Sequence, residues 1–186
     1  MNRKIIVAVT GASGSVYAQL LLERLAEIKS QFETCAVIFS ENGKEVWNYE
    51  LGNQDYDKIP FTRYEPDDYF APPASGSAGF TSMIVIPCSM GTLGRIASGV
   101  STGLISRAAD VMLKEKRQLI LVPREMPFNL IHIRNMETLT LAGAVIVPAS
   151  PSFYSKPASS REICMTVVDK VLDLAGLEFK KFQWGM

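Results

Sequence analysis

A run of small residues, Gly11–Gly14, is the first feature of the sequence that could bind a ligand. It follows the apolar run Ile5–Val9 and precedes a helical pattern that begins near Val16. A helix N-terminus presents unpaired N–H groups and a positive dipole end, and small residues let a phosphate approach the backbone. The turn therefore favours a phosphorylated ligand. It lacks the three-glycine dinucleotide fingerprint and the Walker lysine and hydroxyl, so packing alone would also explain it.

Arg124 and Glu125 are a second candidate for chemistry, because they directly follow the apolar run Leu119–Pro123. Pro123 and Pro127 flank the pair and restrict the path of the chain. Arginine suits two-pronged binding of phosphate, and a partly buried glutamate can act as a general acid or base. We therefore expect a phosphate contact and a partly buried proton donor here, ahead of the alternative of a surface ion pair.

Four hydroxyl side chains stand where predicted strands end. Each could simply cap the helix that follows, since serine and threonine are favoured at that position. Four of them at one edge of a sheet favour a ligand that carries a phosphate and a chain of hydroxyl groups. They are Ser13, Ser40, Ser89 and Thr92.

Other side chains allow more than one interpretation. Tyr154 lies in a strand-end loop, where its phenol either donates to a phosphate or is structural. His132, the only histidine, is expected to be structural and on a helix. One histidine and scattered cysteines make a zinc site or a Cys-His dyad unattractive, so no metal is expected. Several aromatic side chains belong either to the core or to a cavity for a flat ring: Trp47, Tyr69, Phe70, Phe80 and Trp184.

Short apolar runs alternate with helical patterns along the chain, and this alternation must position those residues. The runs lack polar alternation, as expected for strands that are covered on both faces. Alternating strands and helices predict a parallel sheet with right-handed crossovers, in which ligands bind at the carboxyl ends of the strands. The predicted strands are Lys4–Thr10, Thr34–Phe39, Met83–Pro87, Leu119–Pro123 and Ala144–Pro148. The predicted helices are Val16–Ile28, Glu41–Glu50, Met90–Ser98, Leu104–Lys116, Leu130–Ala142 and Ser160–Ala175. The loops expected to carry the site are Thr10–Ser13, Ser40, Cys88–Thr92, Arg124–Asn129 and Ala149–Tyr154.

Two segments do not fit the alternation. Residues 51–82 carry few regular signals and include the Pro- and Ser-rich stretch Ala71–Ser77, which would suit a flap over a site. The segment Leu177–Met186 ends in apolar residues, which predicts a lid or a contact with a neighbouring subunit.

Composition sets the broad class. A chain of 186 residues suits one domain with a substantial core. Its 47% hydrophobic residues and mean hydropathy of +0.12 favour a protein that also buries surface against copies of itself. Nineteen basic residues balance nineteen acidic ones without a basic stripe, so nucleic acid is not an expected partner. The three dispersed cysteines are expected to be reduced, in a cytoplasmic protein, and no apolar segment reaches the ~18 residues of a membrane span.

These residues together resemble the UbiX family of flavin prenyltransferases over essentially the whole length. The resemblance is carried by Thr10–Gly14, Ala71–Ser77, Pro87–Leu93, Leu104–Glu115, Leu121–Pro127, Gly143–Ala149, Phe153, Tyr154 and Trp184. It implies an α/β fold with a three-layer, Rossmann-like (flavodoxin-like) doubly wound parallel sheet. The chain would form a single domain over residues 1–186, with 177–186 as a C-terminal tail or lid.

The same resemblance implies an activity. A dimethylallyl group from dimethylallyl monophosphate, or from the diphosphate, would be joined to reduced FMN without a metal. The product, prenylated FMN, would serve a decarboxylase of the UbiD type, in ubiquinone biosynthesis or in aromatic-acid decarboxylation. The protein would be a homododecamer with its sites at subunit interfaces.

Residue roles follow from the resemblance motif by motif. The implied FMN contacts are Gly11, Ala12, Ser13, Ser40, Ser89, Met90, Gly91, Thr92 and Arg124. The implied contacts of the substrate phosphate are Tyr154 and Lys170, with Lys114, Arg107 and Glu50 nearby. Glu125 matches the glutamate that protonates the departing phosphate, Ser13 would join that relay, and Trp184 would close over the prenyl group. The family often has arginine where this chain has Lys170, and lysine lacks the two-pronged geometry.

Two other functions compete with prenyl transfer. Related flavin-dependent decarboxylases that act on peptidyl or pantothenoyl cysteine use a histidine near the first helix and a Pro-Ala-Ser loop that contains asparagine. Here no histidine precedes His132, and the comparable loop, Pro73–Gly76, contains no asparagine. A non-catalytic flavin carrier would keep the phosphate-binding residues yet could dispense with Glu125, Tyr154 and Lys170. Their presence favours an enzyme.

Overall fold

A computed structural model describes residues 3–182 and residue 185 and confirms the predicted α/β class. One parallel sheet lies between two layers of helices. The strands are β1 (Lys4–Val9), β2 (Thr34–Phe39), β3 (Thr62–Tyr64), β4 (Ser82–Cys88), β5 (Gln118–Pro123) and β6 (Val145–Ile146). The helices are α1 (Ser15–Glu27), α2 (Glu41–Leu51), α3 (Met90–Ala97), α4 (Leu104–Lys114), α5 (Leu130–Leu141) and α6 (Ser160–Leu174).

The strand order is β3-β2-β1-β4-β5-β6, and every neighbouring pair is parallel. This is the doubly wound order, in which the chain first builds outward from β1 in one direction and then from β4 in the other. The connections that follow β1 and β4 therefore diverge, which opens a crevice at the carboxyl ends of these two strands. The fold places a ligand crevice between the Gly11–Gly14 turn and the start of α3.

Both faces of the sheet are buried, as the continuous apolar runs predict. Along β1, Ile5, Val7 and Val9 pack into a core with α1, α2 and α6, whereas Ile6 and Ala8 pack into a second core with α3 and α4. All five side chains are fully inaccessible to solvent. Because successive strand residues face opposite sides, one unbroken run of aliphatic residues supplies both cores.

The predicted elements agree with the structure apart from one strand. Each predicted helix is present with ends that differ by one or two residues, and five of the six strands coincide with predicted runs. The missed strand, β3, lies in residues 51–82 and is a three-residue edge strand with the polar sequence Thr-Arg-Tyr. The rest of that segment contains short 3-10 turns, and Ala71 and Pro73 of the Pro-rich stretch are buried.

Burial decides several open assignments. Trp47 and Phe80 belong to the core, whereas Tyr69 and Phe70 are exposed.

Burial also raises the pKa of the Cys35 thiol to about 12. The Cys88 thiol is shifted to about 12 in the same way, with the Arg95 charge opposing the effect. Within the described ranges, every helix is too short or too polar to cross a bilayer.

Candidate functional site

The carboxyl ends of the strands form one continuous edge, as the parallel sheet predicts. Backbone hydrogen bonds join the residues after each strand to the end of the neighbouring strand, so the predicted loops adjoin one another. The bonds run from Ser40 N to Val9 O (3.0 Å), Thr10 N to Pro87 O (3.3 Å), Arg124 N to Cys88 O (3.3 Å) and Ala149 N to Pro123 O (3.0 Å). The glycine turn, the hydroxyl residues and the Arg124-Glu125 pair therefore share one surface.

The N-terminus of α1 does bind an anion, but the anion belongs to the chain itself. The Glu50 carboxylate accepts hydrogen bonds from Gly14 N at 2.9 Å and Ser15 N at 2.7 Å. These are the amides that the sequence predicts for a ligand phosphate. That expectation is wrong for α1, because a glutamate at the end of α2 already fills the position. Gly11, Ala12 and Ser13 remain predicted FMN contacts.

Local packing explains why the turn is made of small residues. Gly14 has a φ of +110°, a conformation that favours glycine, and a Cβ there would lie 2.8 Å from the Tyr17 ring. A Cβ on Gly11 would lie 2.6 Å from the Asn42 Cβ. The turn is therefore compressed between α1 and α2, independently of any ligand.

The charge of Glu50 is stabilised where it lies. Burial acts to raise its pKa, but hydrogen bonds from Ser13, Ser15 and Gly14 outweigh that effect and lower the pKa below its ordinary value. A carboxyl with a lowered pKa in the folded state stabilises the fold fully above its unfolded pKa. That stabilisation is lost as pH falls through the folded pKa.

We expect Glu50→Gln to destabilise the fold by about 1 kcal/mol at neutral pH, the usual cost of losing a charged helix N-cap. The free energy of unfolding, measured by urea titration, should differ between the wild type and the variant at neutral pH. The difference should shrink as pH falls from the pKa of an unfolded-state glutamate, about 4.3, through the lower pKa of Glu50 in the folded protein. A difference that is independent of pH would contradict this account of the interaction.

Two of the four predicted hydroxyl residues, Ser40 and Ser89, cap helices, whereas Ser13 bonds Glu50 and Thr92 lies in the first turn of α3. Ser40 Oγ accepts from Gly43 N at the start of α2, and Ser89 Oγ accepts from Thr92 N at the start of α3. Ser89 Oγ also donates to Thr92 Oγ1 at 3.1 Å. Met90 and Gly91 form the first turn of α3 between these two hydroxyls. Capping and ligand binding are compatible, because a hydroxyl oxygen that accepts one hydrogen bond keeps a second lone pair and its own hydrogen.

Arg124 and Glu125 lie at the carboxyl end of β5 as predicted, but both are exposed. The expectation of a partly buried glutamate is wrong for the single chain as far as it is described, since no element within residues 3–182 covers the side chain. Glu125 Oε1 accepts a hydrogen bond from Met126 N at 3.1 Å. This bond holds the carboxylate back against its own loop.

A groove of about 540 Å³ lies between the loop after β6 and the outer face of α6. Lys170 lines it, together with Ser150, Ser152 and Thr166. Ser152 N donates to Thr166 Oγ1 at 2.9 Å, which fixes the loop that continues to Tyr154. Of the two implied phosphate ligands, Lys170 lines the groove, and Tyr154 lies in the loop between two lining residues, Ser152 and Ser155.

Lys114 is not brought to this edge. Lys114 ends α4, just before β5 begins, and pairs with Glu115 at 2.5 Å. Glu125 follows the other end of β5, and six strand residues span roughly 20 Å. Lys114 therefore cannot reach a phosphate beside Glu125 of the same chain. Arg107 is held on α4 by Asp110 and by the Ala74 carbonyl.

Tyr17 is a residue near the site that sequence reasoning missed. It is buried in the first turn of α1, where its ring lies against Gly14. Burial and a hydrogen bond with Cys164 raise its pKa to about 12, while the Arg124 charge opposes the shift. Tyr17 therefore links the glycine turn to α6 and lies near Arg124. Its position in the apolar face of a helical pattern gave no signal of this role.

Two further predictions concern His132 and Trp184. His132 is structural, because it forms a capping box with Asn129 at the start of α5. Trp184 lies outside the described residues. Among residues 3–182 and 185, no three His, Cys, Asp or Glu side chains are grouped closely enough to hold a metal ion.

Comparisons with known proteins agree with this geometry. A model of the flavoprotein family matches residues 1–176. The flavin prenyltransferase UbiX of Methanocaldococcus jannaschii is 46% identical over 185 residues, which covers 98% of each chain.

Solved structures of UbiX-like proteins are also similar to this chain. The crystal structure of AnUbiX in complex with FMN and dimethylallyl pyrophosphate has a TM-score of 0.91 at 38% identity and covers 98% of both chains. The dodecameric FMN-dependent UbiX-like decarboxylase from Escherichia coli O157:H7 has a TM-score of 0.91 at 40% identity. It covers 97% of this chain and 99% of that one.

Proposed function

Because the chain belongs to the UbiX flavin prenyltransferases of the flavoprotein family, we propose that it joins a dimethylallyl group from a dimethylallyl phosphate to reduced FMN. The observation that carries this proposal is the order of groups along one sheet edge. Hydroxyls come first, the Arg124-Glu125 pair next, and the groove beside Lys170 last. In that order, the edge offers binding groups for a phosphorylated flavin, then a proton donor, and then a site for a second phosphate.

The residues present fit FMN. The crevice between β1 and β4 offers the Ser89 and Thr92 hydroxyls, and Arg124 is hydrogen-bonded through its backbone to the end of β4. Hydroxyls suit the ribityl chain and the phosphate, and a guanidinium suits the phosphate. When bound, the reduced flavin supplies the nucleophilic ring atoms to which the dimethylallyl group is joined, giving prenylated FMN.

The chain's own task at the ester is to manage the leaving phosphate. Breaking the allylic C–O bond moves an electron pair onto the phosphate oxygen, so cationic and hydrogen-bonding partners stabilise that step. Lys170 and Tyr154 take this role beside the groove. Glu125, in its acid form, protonates the departing phosphate and suppresses its return. Lysine in place of the frequent arginine binds with charge but without two-pronged geometry.

We further propose that the site is completed by neighbouring copies of the chain in a dodecamer. Lys114 lies too far from Glu125 within one chain to share a phosphate with it, but another subunit can supply it. Helix α5 presents an apolar surface with no partner in the described chain. Its exposed members are Leu130, Ile131, Ile133 and Leu141. Apolar surface of this kind marks a protein–protein contact.

The product of the proposed reaction is a modified cofactor, so a second enzyme must use it. We propose a UbiD-type decarboxylase as the recipient, in ubiquinone biosynthesis or aromatic-acid decarboxylation. Cysteine decarboxylation and simple flavin transport are not favoured, since the chain carries Glu125, Tyr154 and Lys170 and no histidine before His132.

The test is a direct reaction. Purified protein with anaerobically reduced FMN and dimethylallyl monophosphate should yield a flavin that is heavier by one five-carbon unit in mass spectrometry. A parallel reaction with the diphosphate compares the two esters, and oxidised FMN serves as the negative control. No mass change with either ester and reduced FMN would refute prenyl transfer. Release of carbon dioxide from a cysteine-terminated peptide would instead indicate a decarboxylase.

A further inference from the structure

The guanidinium group of Arg95 lies at the N-terminal turn of α3. Its Nη2 donates to Thr92 Oγ1 at 3.1 Å, and its Nη1 lies 3.7 Å from the position of a Cβ on Gly91. Gly91 and Thr92 are the second and third residues of α3. The side chain therefore extends back along the helix toward the edge of the sheet where β4 ends.

A cation in this position is electrostatically unfavourable by itself. The N-terminus of a helix carries the positive end of the dipole, which attracts anions and repels a guanidinium. No carboxylate among the described residues lies within ion-pair distance of Arg95. The N-terminus of α3 and the Arg95 guanidinium are both positive and have no counter-ion within residues 3–182, so an anion bound between them would stabilise both.

The Thr92 hydroxyl provides a second, independent observation. Thr92 is 4% exposed, and its Oγ1 accepts hydrogen bonds from both Ser89 Oγ and Arg95 Nη2. A hydroxyl oxygen has two lone pairs, so both are used and its own hydrogen is available to donate. In the described part of the chain, Thr92 Oγ1 accepts hydrogen bonds and donates none. A buried donor beside a guanidinium requires an acceptor, and a phosphate oxygen is suited to that place.

The other two helices on this edge differ from α3. The amides of α1 are occupied by Glu50, and α2 carries Glu41 in its first turn. Helix α3 has no acidic residue in its first turn. Of the three helices that follow β1, β2 and β4, α3 is the one whose N-terminus combines a positive dipole end with a positive side chain.

We propose that Arg95 binds the phosphate group of FMN at the start of α3, together with Thr92, and thereby sets the preference for FMN over riboflavin. This assignment rests on the proposed use of FMN. It adds a charged residue to the hydroxyl contacts of the crevice. It also places the phosphate at α3 rather than at α1.

The test compares the affinities of two flavins that differ only in the phosphate. Dissociation constants for FMN and riboflavin are measured by fluorescence titration for the wild type, Arg95→Ala, Arg95→Lys and Lys29→Ala. We expect Arg95→Ala to weaken FMN binding about tenfold, the size of a charge-assisted hydrogen bond at an exposed position, and to leave riboflavin binding unchanged. Arg95→Lys should lie between the two. Lys29→Ala, which removes an exposed cation beyond the C-terminal end of α1, should change neither affinity.

Added salt gives a second measurement. The FMN affinity of the wild type should fall with ionic strength more steeply than that of Arg95→Ala, because a charge pair is screened. Equal losses for FMN and riboflavin in Arg95→Ala, or no loss for either, would overturn the assignment. Since binding is measured without the dimethylallyl ester, the assignment can hold even if prenyl transfer fails. It can also fail while prenyl transfer succeeds.

Discussion

Glu125→Gln is expected to lower kcat for flavin prenylation by about 10²- to 10⁴-fold, the usual contribution of a positioned general acid. Glutamine has the same shape, and its amide oxygen can still accept the hydrogen bond from Met126 N that Glu125 Oε1 accepts at 3.1 Å. It cannot deliver a proton to the departing phosphate. Because Glu125 is exposed in the single chain, the substitution should leave folding and FMN affinity unchanged. Rates are measured by the formation of the heavier flavin, and FMN affinity by titration.

Glu45→Gln is the matched control, since Glu45 is exposed on α2 and lies outside the proposed site. It should reproduce the wild-type rate. If Glu125→Gln reduces kcat and FMN affinity by the same factor, Glu125 supports the shape of its loop and does not transfer a proton. An unchanged kcat would remove it from the mechanism.

Ile131→Asp is expected to break the assembly and, with it, the activity. Ile131 is 68% exposed in the single chain, so an aspartate there can be solvated in a monomer. In an assembly that covers α5, each copy would bury an unpaired carboxylate. A penalty of roughly 2–3 kcal/mol for each contact weakens association about 100-fold. Activity should fall because Lys114 lies at the opposite end of β5 from Glu125 and must come from a neighbour.

Ser30→Asp adds the same charge at an exposed position after α1 and should leave the assembly intact. Analytical ultracentrifugation measures particle size, and circular dichroism checks that each chain stays folded. An assembly of unchanged size in Ile131→Asp would show that α5 is not an interface. Dissociated chains with full activity would show that one chain holds a complete site.

The strands and the edge that carries the site could be predicted from the sequence, because they follow from local patterns of apolar residues. Continuous aliphatic runs such as Leu119–Pro123 are typical of strands in a sheet covered on both faces, and parallel strands bring the following loops to one edge. Strand β3 could not be predicted in this way. It has three residues, two of them exposed, and pairs with β2 along one side only, so no apolar pattern marks it.

The finer features of the site depend on contacts between distant residues. Glu50 reaches the amides of Gly14 and Ser15 across about 35 positions of sequence, which no local pattern reveals. Arg95 was missed for a related reason, since its significance lies in the direction of its side chain toward Thr92. Glu125 was expected to be partly buried because catalysis favours that environment, but its side chain is exposed in the described part of the single chain.

The two outermost strands of the sheet have a consequence for how copies of the molecule meet. Strand β3 has three residues and strand β6 has two, so each border exposes only a few unpaired backbone groups. A long edge strand with unpaired backbone groups can pair with strands of other chains, and repeated pairing leads to fibres. Because few backbone groups are free at either edge, copies of the molecule must associate through complementary side chains and not by adding strands. This favours closed particles of defined size over open-ended growth.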